Sequence, residues 1–200
     1  MPTNLYPNAE KVITAADITL TKDASYDMKM LYKAMHEWLI ELGYATTSDK
    51  DFNETLHLQR TDADKAREII FWWRQEKRPA DAGDRFIYFL KINVHILGMK
   101  KVEVVKQGKK YKLDKGECEI AITGKLIVDP YGKYKSNFLI KKFKNWFMSE
   151  GMDIGKHKHL LYRDVYEFAN RIRNFWEMQS FAENREGLYY PPSGIEESVY

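Results

Sequence analysis

Six apolar residues, Phe86, Tyr88, Leu90, Ile92, Val94 and Ile96, alternate with mostly polar neighbours. Apolar residues at period two share a face only on an extended backbone, so the run predicts a β-strand with one buried side. The pattern returns at Cys118, Ile120, Ile122, Leu126 and Val128. Such strands point to an antiparallel sheet with one covered and one wet face, and helical segments before and after supply the cover.

The covering helices are legible as stripes. Met28, Leu31, Tyr32, Met35, Leu39 and Leu42 recur at i, i+3, i+4 and i+7, with Ser25 as a candidate cap and Gly43 as the stop. Residues 157–181 carry Leu161, Val165, Phe168, Ala169, Ile172, Phe175 and Trp176 on one side. A further helix is predicted over 136–149, with Leu139, Ile140, Phe143, Trp146 and Phe147 together. Strands are expected at about 55–60, 67–77, 85–97, 100–107, 110–114 and 117–128, and a short edge strand near Ile18 and Leu20. Gly98, Gln107-Gly108 and Lys115-Gly116 read as the turns between them, and Asp129-Pro130 ends the last.

The expected fold is α+β: a twisted antiparallel sheet of five to six strands packed against an N-terminal helix and two C-terminal helices. The domain expectation is a single unit over 1–181 with an N-terminal arm (1–22), and an extended or mobile tail over 182–200. At 200 residues and 44% hydrophobic, one sizeable core is affordable. The lone Cys118 falls on the apolar parity of its strand and reads as a small buried hydrophobe. With no disulfide partner, no membrane-spanning run and no basic-then-apolar leader, a cytoplasmic location is expected.

Several chemistries lack their residues. No glycine pattern cradles a phosphate, and one cysteine cannot build a zinc site. Asp49, Asp51 and Asn53 resemble the start of a calcium loop, but Glu54 stands where glycine must turn and Arg60 where a bidentate Glu is needed. His157 and His159, at i and i+2, point to nearly opposite sides of a helix and cannot share an ion there. No Ser or Cys shows a sequence-adjacent base, so no catalytic residue, cofactor or metal is assigned.

Two features bear on function. From Lys100 to Arg163 sixteen Lys or Arg face seven Asp or Glu, a net of +9, whereas the chain as a whole carries +3. Within it Lys133, Lys135, Lys141, Lys142, Lys144, Lys156, Lys158 and Arg163 interleave with Phe and Trp, a pattern suited to an acidic partner. The second feature is Ile69-Ile70-Phe71-Trp72-Trp73, whose consecutive bulk must load both sheet faces. With Phe89 on the next strand, Trp72 and Trp73 form a candidate interface needing cover from the N-terminal arm, the tail, a partner or a ligand.

The order strand, helix, antiparallel strands, long C-terminal helix across residues 17–181 resembles the helix-grip, START-like layout. That resemblance implies an apolar cavity taking a lipid or small aromatic ligand, and it leaves room for enzymatic activity. Met35-His36-Glu37-Trp38-Leu39 and Phe71-Trp72-Trp73-Arg74 also resemble uncharacterised archaeal or microbial proteins, a likeness that implies no activity. The leading expectation is a non-catalytic binding or assembly (structural) protein, contacting an acidic partner or copies of itself. A protein partner or homo-oligomer heads the partner classes, followed by nucleic acid or the ribosome, then a membrane surface. The alternative is the cavity protein.

Overall fold

The computed structural model describes residues 6–48, 52–63, 65–106, 109–133 and 153–184. Five strands form one antiparallel sheet: β1 (Lys11–Tyr26), β2 (Glu54–Thr61), β3 (Arg67–Lys77), β4 (Phe86–Lys106) and β5 (Lys109–Val128). Helix α1 (Met28–Glu41) follows β1, and α2 (Ile154–Asn184) comes after β5. The strand order is β1-β5-β4-β3-β2, so the first strand lies beside the last. The α+β class and the antiparallel sheet expected from the alternation are both present.

Of the expected N-terminal helix and two C-terminal helices, the described residues hold α1 and α2, and the expected helix over 136–149 lies outside them. Within the expected N-terminal arm (1–22), the described residues from Lys11 onward are strand, longer than the short edge strand expected near Ile18 and Leu20. β1 has 16 residues and pairs with β5 from Lys11↔Val128 to Tyr26↔Asp114. It is an edge strand with Val12 exposed, and the register shift between Thr14 and Ala16 breaks its alternation. α1 then starts two residues later than Ser25 suggests, because β1 consumes that residue. Asp27 takes the cap, its carboxylate accepting from the Met30 backbone N–H at 3.0 Å.

Two expected turns are not turns. The stretches 85–97 and 100–107 run together as β4, while 110–114 and 117–128 run together as β5. Gly98 sits at φ +64° in a register shift between Leu97 and Lys100, and Gly116 lies opposite. A side chain at Gly116 would come within 2.8 Å of the Leu97 carbonyl oxygen. The two glycines are thus the two sides of one bulge, where the long hairpin bends without reversing. The β4–β5 pairing runs as far as Lys106↔Lys109, and the expected turn at 107–108 lies outside the described residues.

Helix-facing side chains alternate along every central strand. Phe86, Tyr88, Leu90, Ile92, Val94 and Ile96 are buried on β4, as are Cys118, Ile120, Ile122, Leu126 and Val128 on β5. Over them α2 lays Leu161, Val165, Phe168, Ala169, Ile172, Phe175 and Trp176, all buried. α1 buries Met28, Leu31, Met35 and Leu39. It touches α2 through Trp38, whose ring lies 6.4 Å from Phe168, and β3 through Tyr32, 5.0 Å from Trp73.

The helix-to-sheet spacing is set at Gly124. A methyl group there would stand 2.6 Å from Val165 Cγ2 and 3.4 Å from Leu161 Cδ1, so α2 rests directly on the β5 backbone. Gly124→Ala is therefore expected to cost about 1–3 kcal/mol, read as a lowered urea midpoint. In a Val165→Ala background the same change should cost less; equal losses in the two backgrounds would place the close approach elsewhere.

Candidate functional site

The expected basic region divides when placed on the fold. Lys135, Lys141, Lys142 and Lys144 lie outside the described residues. Lys133 Nζ is 2.6 Å from an Asp84 carboxylate oxygen, and Lys156 Nζ is 2.8 Å from one of Asp81. Each ammonium holds its partner's carboxyl below the usual carboxylate range. Those two charges are met within the molecule by the loop between β3 and β4. Lys158 and Arg163 are exposed on α2 and make no ion pair among the described residues.

The aromatic triplet also separates. Trp72 points away from the helices, 40% exposed, with the Arg74 guanidinium 5.6 Å from its ring. Trp73 is a correction: adjacent strand residues face opposite ways, so it is fully buried under α1. Its indole N–H donates to Glu54 Oε1 at 3.2 Å, and that oxygen also receives Tyr32 Oη and His57 Nδ1 at 3.3 and 3.0 Å. Phe89 shares the outward face with Ile87 and Ile127, yet all three are covered by Tyr6 and Ala9. The Tyr6 hydroxyl donates to Glu76 Oε2 at 2.6 Å, fixing the N-terminal segment as that cover.

At one end of the sheet, α2 buries polar groups. Asp164 accepts from Lys77 Nζ at 2.9 Å and from the Tyr44 hydroxyl at 3.1 Å. One turn-pair earlier on the same helix face, His157 Nδ1 lies 2.7 Å from the Tyr88 hydroxyl, its ring against Phe86 at 4.4 Å. Burial, helped by the nearby carboxylates of Asp81 and Asp164, keeps the Tyr88 phenol protonated well above its ordinary value. It therefore donates, and the neutral imidazole accepts at Nδ1. A polar cleft of about 320 Å³ opens near Tyr44, against Asn53, Arg74, Gln75 and Glu76 at the edge of β3.

The opposite side of α2 carries a stripe that the sequence reading passed over. Tyr162 and Tyr166 are 40% and 37% exposed, with ring centroids 4.2 Å apart. His159 continues the row, its ring 6.5 Å from Tyr162 and within 10° of parallel. At 100° per residue, Lys158 falls on one flank of this row and Arg163 on the other. The one acidic residue between positions 158 and 166, Asp164, is turned inward to Lys77. The visible signal was tyrosine at i and i+4 on the face away from the apolar stripe.

Among the described residues no three His, Cys, Asp or Glu side chains are grouped to hold a metal ion. No described helix is long and apolar enough to cross a membrane. No family model matches the chain, and no curated protein matches it. One similar solved structure is an uncharacterised protein from Rhizobium leguminosarum, 7% identical, covering 80% of this chain and 97% of its own, with a TM-score of 0.17.

Burial depresses the basicity of His157 below its ordinary 6.5; Lys156 and Arg85 push the same way, and Asp81 and Asp153 oppose them. The unfolded chain then binds the extra proton first as pH falls, so the stability from a neutral His157 is complete above about 6.5 and declines below it. The urea midpoint should drop between pH 7 and pH 5 more steeply than in His157→Phe. Parallel profiles would show that His157 titrates alike in both states.

Proposed function

We propose that the chain is a non-catalytic binding protein that contacts an acidic partner through the outward face of α2. The supporting observation is the row of His159, Tyr162 and Tyr166, two of its rings well exposed, between the cations Lys158 and Arg163. An exposed tyrosine pair offers contact area at little cost in side-chain entropy, and charges with no ion pair among the described residues attract an anion at long range. Lys133 and Lys156 contribute less, since Asp84 and Asp81 already neutralise them.

The strand order, with a long helix across the sheet, favours the helix-grip reading of the fold. The contact of Val165 and Leu161 with Gly124 speaks for a helix seated on the sheet, not lifted above an apolar cavity. Binding through an outer surface therefore has more support than binding inside.

The test is retention on heparin resin. The wild-type protein should elute late, and Lys158→Glu with Arg163→Glu should elute at clearly lower salt with unchanged circular dichroism. Unchanged elution of the folded variant would remove α2 as the docking face.

A further inference from the structure

We infer that the acidic partner is single-stranded nucleic acid, its bases stacking on the His159–Tyr162–Tyr166 row and its phosphates meeting Lys158 and Arg163. This rests on the reading of α2 as the docking face and adds the chemical class of what docks. An acidic peptide would need only the cations, whereas a base presents a π-face together with a negative backbone.

The geometry of the row suits flat rings. Tyr162 and Tyr166 lie against each other at 4.2 Å, so the pair offers an outer face for stacking. His159 and Tyr162 are near-parallel with centroids 6.5 Å apart, about twice the ~3.5 Å contact distance between carbon atoms. From His159 to Tyr166 the helix rises roughly 10 Å, about three base-stacking intervals. A hydrogen bond with Tyr166 holds the Tyr162 phenol above its ordinary range. Asp164, the one carboxylate in this stretch, is buried on Lys77 and Tyr44.

Rings of this kind discriminate strands. Bases in a duplex already stack on one another and hide their faces, so a duplex can use the cations alone.

The experiment measures fluorescence anisotropy of a labelled 20-nucleotide single-stranded RNA, of its duplex, and of polyglutamate, against the full chain. The single strand is expected to bind most tightly, and Tyr162→Ala with Tyr166→Ala to weaken it by about ten-fold or more. Heparin elution should not move in that variant, and Tyr162→Phe with Tyr166→Phe should restore affinity while circular dichroism stays constant. Single strand, duplex and polyglutamate binding alike, with the alanine variant unchanged, would overturn the nucleic-acid assignment. If Lys158 and Arg163 still governed heparin elution, the acidic-partner reading would survive. Indifference of every ligand to both sets of variants would overturn the two together.

Discussion

The contact between α2 and the β5 backbone at Gly124 is the constraint on which the rest of the molecule turns. With no side chain at Gly124, Val165 and Leu161 can approach the strand itself. Once that contact fixes the rotation of the helix, its other residues have no freedom of placement. His157, Asp164, Phe168 and Ile172 must face the sheet, and Lys158, His159, Tyr162, Arg163 and Tyr166 must face away. The surface proposed for recognition is thus the geometric remainder of core packing. A shift of the helix by one residue would put Lys158, Leu161 and Val165, or Leu160, Arg163 and Glu167, where the ring row now stands.

The same rotation explains why polar groups end up inside. Asp164 and His157 lie on the buried side of α2, where an unpaired charge or acceptor is costly. Lys77 and Tyr44 meet the first, and Tyr88 the second. These partners come from the end of β3, the segment after α1, and the start of β4, so the three bonds tie α2 to widely separated parts of the chain. Directional bonds of this kind specify where the helix end sits more sharply than apolar contact does.

Much of the fold was legible because period-two alternation and the α2 stripe are strong local signals. Every residue of the expected stripe from Leu161 to Trp176 is buried. What escaped was information carried across the chain. Gly98 and Gly116 look like turn residues in isolation, and only the β4–β5 register makes them one bulge. Trp72 and Trp73 must face opposite ways, but which of them lies under α1 is decided by packing on Tyr32 and by the indole bond to Glu54. Lys156 reads as a free cation until folding brings Asp81, 75 residues away, within 2.8 Å. Charge counted along a segment overstates the charge a surface presents, since neutralising carboxylates arrive from elsewhere.

Cys118 sits on β5 between Lys22 of β1 and Ile96 of β4, with no exposed surface. Burial pushes its thiol up to about 12, with the Tyr26 hydroxyl as its near polar neighbour. A thiol held in that state is inert to alkylating reagents and oxidants so long as the central strands stay paired and roofed. The chain consequently carries a single built-in clock: the rate at which that sulfur is consumed counts the openings of its innermost layer, with no engineered label.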